Sequence, residues 1–322
     1  MAKEMELSAI QHNEQDRIKS GTIEFIDEYR GRRVNQYTGA RGGRHYEVEG
    51  YQFDFASVTS ITGVVNKRGI PDWYKKKGIE KAIDLMAEPT MINECQSVAN
   101  EKNDRAKKHN AKQPKVRWND QHTWQTIFYD KAKVGPKEAM DFATKFGKDS
   151  HDIIEYLTMN DMGKKPGLLP EAYSDTTNCY VPIAEGFKGW LRDSGMHVVA
   201  SEMMVYHPAY KYAGTIDLVC ALDKDPYSLV VVDLKTGGVF DEAAMQISAY
   251  TVALRYLLPP YSGYNYHVDE AWVLQLPRDR PTEWDADKRY EIYKVNDIQE
   301  YFDAFDTAHK LRGLLEKEAW SS

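Results

Sequence analysis

Between residues 214 and 250 the chain puts charge where its hydrophobic pattern demands burial. GTIDLV at 214–219 carries Asp217 between Ile216 and Leu218, and VVVDLKTGG at 230–238 ends an apolar run on Asp233 and Lys235. A short, continuous apolar run bounded by glycine and turn residues reads as a central strand buried on both faces. A carboxylate or an ammonium at the end of such a run is costly to bury unless it is paired or binds something. Side chains alternate along a strand, so Asp233 and Lys235 share a face while Leu234 points the other way, into the core. QISAY at 246–250 follows on a helix, with Gln246 and Tyr250 four apart on one face.

Two carboxylates on neighbouring strands are hard oxygen ligands suited to Mg²⁺ or Mn²⁺, and the Leu234 carbonyl would face such an ion from the strand edge. One or two such ions would activate water and polarise a phosphoryl oxygen, with the lysine orienting the water or neutralising charge on phosphorus. That chemistry suits phosphodiester hydrolysis. The Asp-X-Lys pattern alone is equally an exposed strand with a cross-strand salt bridge, so its company decides between the two.

The pattern around it is that of a mixed α/β (α+β) protein. Strands are expected over 197–207, 214–222, 229–235 and 269–276, with 223–226 as a turn, a helix over 241–257 and Pro259-Pro260 ending it. The three middle strands have short connections and should form an antiparallel meander. The strand after the crossover helix should pair in parallel. Helical periodicity covers 136–157, 180–193 with Gly195 as its stop, and a last amphipathic helix from Asp297 with Asn296 as its cap. Near the N-terminus, 21–56 reads as a small antiparallel sheet. Ser57 or Thr59 caps the helix that follows, and Pro71 opens another. Residues 1–135 are thus expected to form an accessory region that shapes substrate binding, and 136–322 the core.

Net charge is −7, which disfavours tight nonspecific coating of a polyanion and leaves local patches to decide. One patch is 102–117, with seven Lys or Arg against a single Asp. Lys107, Lys108, Lys112 and Arg117, with Trp118 behind them, read equally as a solvated face or as a guide for a phosphate backbone with a stacking platform. The three cysteines, Cys95, Cys179 and Cys220, are widely spaced and fit reduced thiols. No apolar run approaches a membrane span and the first residues lack a secretory pattern, so a cytoplasmic protein of a bacterium or phage-infected cell is expected.

Taken in order, GKDSH at 147–151, GTID at 214–217, DLKTG at 233–237 and Q-x-x-x-Y at 246–250 resemble the motifs of the PD-(D/E)xK nuclease superfamily, specifically its RecB-like exonuclease branch. The resemblance covers roughly residues 140 to 276. More loosely, SVTSITG at 57–63 and the Trp73 region resemble phage and mitochondrial genome-maintenance exonucleases. The resemblance implies a restriction-endonuclease-like core and a metal-dependent DNA exonuclease acting on ends or single strands in recombination, repair or phage DNA processing. It implies His151, Asp217, Asp233 and the Leu234 carbonyl as metal ligands, Lys235 as the catalytic lysine, and Gln246 and Tyr250 as the groups that hold lysine, water or DNA. Glu202, on the strand before, would be an extra or outer ligand or else a surface carboxylate. Glu155, one turn after His151, would orient its ring or else face solvent. Three cysteines cannot supply the four ligands of the iron–sulfur cluster that some members carry. No GxxxxGK[ST] occurs in the chain, so unwinding would come from a separate helicase or recombination protein. Within the same fold, a structure- or site-specific endonuclease and a noncatalytic DNA- or protein-binding module are the rival readings.

Overall fold

The computed structural model of the chain describes residues 34–38, 44–65, 70–87, 90–108, 131–162, 168–170, 179–258, 266–276 and 289–315. Two compact units emerge: Met1–Lys67 with Gly147–Ser322, and Arg68–Phe146.

The first unit is built on one mixed sheet of eight strands, flanked by helices. Its centre is the expected meander. Strands β4 (Met196–His207), β5 (Tyr212–Leu222) and β6 (Asp225–Lys235) pair antiparallel, and β7 (His267–Gln275) joins β6 in parallel. A short strand β8 (Glu291–Lys294) closes that side against β7. The turn between β5 and β6 is tighter than 223–226: Asp225 already pairs with Leu222, and the irregularity falls inside the strand instead. The N-terminal strands β1 (Val34–Thr38), β2 (Arg44–Val48) and β3 (Phe55–Ser57) form antiparallel pairs, and β3 then runs parallel to β5 through Ser57 and Ala213. They therefore extend the central sheet.

Alternation along the strands builds two hydrophobic layers. Leu229 and Val231 of β6, with Ala271 and Val273 of β7, join one large buried cluster together with Ile247, Leu254, Phe302 and Phe305. These last four come from helices α6 (Asp241–Leu257) and α7 (Ile298–Leu315) of that face. Val230, Val232 and Leu234, the residues in between, are equally buried but lie outside that cluster. They face the opposite layer, where α5 (Val181–Ser194) sets Phe187 and Trp190 in the core and Gly186 approaches Leu276. Helix α6 is apolar almost all round because it lies between the sheet and α7. Ala249, Ala253 and Ser248 are fully buried and allow the close approach.

Helix ends follow local chemistry. Gly195 ends α5 in the left-handed conformation (φ 63°), which costs a glycine no Cβ clash. Asp297, rather than Asn296, caps α7: its Oδ1 accepts from the Glu300 N–H at 2.9 Å. Ser57 does stand at the N-cap of α1 (Val58–Thr62), but its hydroxyl bonds that of Thr59 at 2.8 Å instead of the helix N–H groups.

The second unit contains α2 (Ile70–Ala87), α3 (Thr90–Lys108) and residues 135–146 of α4 (Gly135–Asp161). Leu85 and Ala99 are buried in it, the Tyr74 hydroxyl meets the Met140 sulfur at 3.4 Å, and Lys81 pairs with Glu138 at 3.1 Å. Among the described residues, no helix is long and apolar enough to cross a membrane.

Candidate metal centre where the sheet forks

Strand β5 has β4 along one edge for its whole length, so β6 and β3 must share the other. The β5–β6 ladder ends at Leu218↔Val232, and β3 takes over only at Ala213 and Tyr212. Between them the edge of β5 is open, and this is the GTID segment. The next rung would pair Asp217 with Asp233. Instead the Asp217 carboxylate reaches across the fork and its Oδ2 accepts the Leu234 N–H at 2.7 Å.

On the opposite edge the ladder keeps its register at the same level: Ser201 pairs with Leu218 and Met203 with Ile216, so Glu202 stands across from Asp217, and its φ of 48° lies in the left-handed region that a glutamate rarely adopts. Neither side chain is buried, so both can leave the core layers and meet. Carboxylates of three successive strands, Glu202, Asp217 and Asp233, thus stand at one level of the sheet.

His151 comes to them from α4. Its Nδ1 lies 3.5 Å from Asp217 Oδ1 and 3.8 Å from Glu202 Oε1. One ligand atom from each of His151, Glu202 and Asp217 lies within 4.8 Å of the other two, close enough to enclose one cation. Carboxylate oxygens suit Mg²⁺ or Mn²⁺ while an imidazole nitrogen suits a transition ion, so of the two implied ions Mn²⁺ fits the donor set better. Gly147, one turn earlier, lies beside Thr236, whose Oγ1 would be 3.6 Å from an added Cβ.

Asp233 stands just outside this group. It is almost fully buried, with Oδ2 at 2.6 Å from the Lys235 ammonium and Oδ1 accepting from Gln246 Nε2 at 3.0 Å. Gln246 also donates to the Tyr250 hydroxyl at 3.2 Å. The helix pair therefore holds the acid rather than the lysine. Tyr250 in turn explains Gly214: a Cβ there would sit 2.5 Å from the tyrosine ring and 3.3 Å from Val58. The glycine of the GTID segment is the space the ring occupies.

The charges are mutually dependent. Burial opposes a charged His151, but Asp217, Glu202 and Asp233 outweigh it and push its pKa up to about 9. Burial raises the Asp217 carboxyl well above the usual carboxylate range and Asp233 adds to it, while His151 and Lys235 pull the other way. For Lys235, burial works against the charge and the Asp233 and Asp217 carboxylates more than restore it, so it remains an ammonium. Tyr250 is held a neutral phenol, first by burial and then by Asp233 and Asp217.

Of the residues expected from the sequence, His151, Asp217, Asp233, Lys235, Gln246 and Tyr250 converge here. The Leu234 N–H also takes part, while its side chain is buried in the core. Glu202 belongs to the ligand group itself, while Glu155 falls outside it. Lys107 and Lys108 end α3, exposed, with Lys107 paired to Asp104 at 3.3 Å. Lys112, Arg117 and Trp118 lie outside the described residues. One buried acid was not anticipated, Glu242 on the first turn of α6. Its spacing, four before Gln246 and eight before Tyr250, is the one signal that could have found it. No protein-family model matches the chain, and neither does any curated protein.

Proposed function

We propose that the protein is a divalent-cation-dependent nuclease of the PD-(D/E)xK, RecB-like kind that hydrolyses DNA phosphodiester bonds from ends. The observation that carries this reading is the convergence of His151, Glu202 and Asp217 beside the Asp233–Lys235 pair at 2.6 Å, all at the open fork of one sheet. The motif resemblance supplies DNA as substrate and ends as the point of attack.

A divalent cation in the His151, Glu202 and Asp217 group would act as a Lewis acid toward a phosphoryl oxygen and acidify a bound water. The chain's own groups provide the surroundings. Lys235, kept protonated by its acids, is a cation rather than a general base, and it offsets negative charge on the phosphate undergoing attack. Gln246, backed by the neutral Tyr250 phenol, fixes the Asp233 carboxylate. The Leu234 N–H fixes that of Asp217.

The test compares wild type with Asp233→Ala and Lys235→Ala on end-labelled linear DNA and on closed circles, with Mg²⁺ or Mn²⁺. The expected result is shortening of linear DNA from its ends by the wild type alone, abolished by chelation. Equal cutting by all three proteins would remove the site. Cutting of circles would make the protein an endonuclease, and DNA binding without any cutting would make it a binding module.

A further inference from the structure

Past Lys235 the chain runs on through 236–238, a stretch with main-chain donors that the site so far leaves unused. The Leu276 N–H donates to the Lys235 carbonyl at 2.7 Å, so that carbonyl points to β7. A trans peptide is planar, with its N–H directed opposite to its C=O. The Thr236 N–H therefore points away from β7, to the side on which the fork opens. The backbone bends at 236 and 237, and the β6–β7 ladder ends at Lys235↔Gln275. The Gln275 side chain replaces the missing rung. Its Nε2 donates to the Gly237 carbonyl at 2.7 Å, and the Tyr293 hydroxyl donates to its Oε1 at 3.2 Å, fixing the amide from behind. The same planarity turns the Gly238 N–H away from Gln275. Neither the Thr236 nor the Gly238 N–H has an acceptor among the described residues, and a Cβ added to Gly237 would meet nothing within 4 Å.

Free main-chain donors at a sheet edge, with open space before them, suit an anion. A pair of glycines does not keep such donors aimed by itself, because glycine has the most conformational freedom to lose, and Gln275 supplies the fixed point. A cation stands beside them. Gly147 of α4 lies against Thr236, and the next residue, Lys148, is exposed and forms no ion pair among the described residues. Three residues turn an α-helix by 300°, so Lys148 is only about 60° round the helix from His151, at the rim of the metal group. With a rise of about 3.3 Å per residue, the Gly238 N–H lies within about 10 Å of Lys235, close enough to meet the phosphate next to the one undergoing attack. We propose that the Thr236 and Gly238 N–H groups, with Lys148 beside them, form a subsite for the phosphate that neighbours the scissile one on the same strand, and that Gln275 is the positioning residue that keeps this subsite formed. The subsite rests on the nuclease reading and makes a charged neighbouring phosphodiester part of what the protein recognises.

The test measures cleavage of a short end-labelled single strand with Mn²⁺ by the full chain as wild type, Gln275→Leu, Tyr293→Phe, Lys148→Gln and Lys148→Arg. Strands of the same sequence, in which one linkage at a time is an uncharged methylphosphonate, are measured beside it. Q275L should raise KM about tenfold and Y293F by less, with the loss falling on KM far more than on kcat. K148Q, an exposed change that leaves the fold alone, should raise KM severalfold and reduce by about 0.7 the slope of log KM against log salt, and K148R should restore both. In the wild type, one methylphosphonate beside the scissile bond should raise KM by a similar factor. On that strand Q275L and K148Q should add little more, because the charge they serve is gone. A KM unchanged in both Q275L and K148Q would overturn the proposal and leave the nuclease standing. So would a Q275L defect confined to kcat, or one equally large on the methylphosphonate strand, since Gln275 would then serve Lys235 or the fold. A wild type that cuts no strand would defeat the nuclease reading and the subsite with it.

Discussion

The two units handle charge in opposite ways. In the Arg68–Phe146 unit, acids and bases lie on helix surfaces and, apart from Lys81 with Glu138 and Lys131 with Glu94, pair with near neighbours: Lys75 with Asp72, Lys77 with Glu80, Arg105 with Glu101 and Lys107 with Asp104. Water screens such pairs, each is worth little, and none obliges the chain to adopt one geometry. In the sheet unit, Asp217, Asp233, Lys235 and Glu242 come from two strands and a helix, and Asp233 and Glu242 are almost fully removed from water. Burying these groups costs several kcal/mol per ion unless every partner is in place. A fold retains that cost where the groups do something, and the contrast teaches which charges in this chain to test.

The largest expected effect breaks the comparison if it fails. Asp233→Ala and Lys235→Ala should each lower the rate of phosphodiester cleavage on the order of 10²–10³-fold, the scale seen when one preorganised group is removed from a water-poor site. Lys107→Gln with Lys108→Gln should change the rate little, because both side chains are exposed at the end of α3. The same end-labelled DNA and Mn²⁺ serve both measurements. A large loss from the α3 pair with little loss at β6 would reverse the assignment of the two units.

Glycines sharpen the contrast through packing instead of charge. Gly214→Ala would bring its Cβ to 2.5 Å from the buried Tyr250 ring, whose hydroxyl accepts from Gln246. Overpacking of this kind costs about 1–3 kcal/mol, and displacement of Tyr250 loosens Gln246 and Asp233 behind it. Thermal midpoint and cleavage rate should therefore fall together. Gly78 lies inside α2, where an added Cβ meets only the Ala132 carbonyl at 4.0 Å. Gly78→Ala should stabilise by about 0.5–1 kcal/mol through helix propensity alone, with no change in rate. A Gly214→Ala protein as stable and as active as wild type would show that Tyr250 is not held where the site needs it.

Much of this architecture was legible in the sequence because period and punctuation agreed. VVVDLK alternates cleanly into the two layers, Gly195 stops α5, and the strand–helix–strand order from 225 to 275 leaves little choice but a parallel β6–β7 pair. The acids and the lysine were legible because they interrupt apolar runs. What was not legible depends on pairing across the sheet. Nothing in 55–57 says that β3 will share an edge of β5 with β6, and that sharing creates the fork. Glu202 looks like any outward strand residue until its positive φ and its place across from Asp217 are seen. Glu242 sits in a first helical turn, where acids are common for their interaction with the helix dipole, so its burial is hidden by an ordinary preference.

Glu202 gives a smaller and more discriminating effect. A non-glycine residue in the left-handed region costs roughly 1 kcal/mol or more, which glycine does not. Glu202→Gly should therefore raise stability by about 1 kcal/mol while weakening Mn²⁺ binding and cleavage, and Glu202→Ala should weaken both without the gain. Chemical denaturation with chelator present, alongside Mn²⁺ calorimetry, separates the two. If E202G is less stable than wild type, or binds Mn²⁺ as well, the strained backbone serves some other end. No residue among the described ones of α2 and α3 has a positive φ, so that unit offers no equivalent trade.

The mildest test is the pH dependence of the metal-free protein. The folded pKa of His151, about 9, lies above its ordinary value of 6.5, so the folded state holds its proton more tightly than the unfolded chain. The stability this supplies is complete below about pH 6.5 and is lost as pH rises through about 9. The raised Asp217 carboxyl acts in the same sense, beginning just above its ordinary value of 3.8. With chelator present, the thermal midpoint should therefore decline from pH 6.5 to 9, and His151→Gln should flatten that slope. Mn²⁺ should reverse it, because a cation at His151 displaces the proton and binds more tightly as pH rises, so the midpoint shift caused by Mn²⁺ grows across the same window. Repeating the melts in about 0.5 M salt sharpens the comparison between units: the Debye length shrinks to a few ångströms and mutes the exposed pairs of α2 and α3, while the half-buried imidazole among its carboxylates keeps most of its slope. A midpoint that rises over this window without metal, or a slope that salt abolishes, would mean that His151 is solvated like the lysines of α3 and is not enclosed by Glu202 and Asp217.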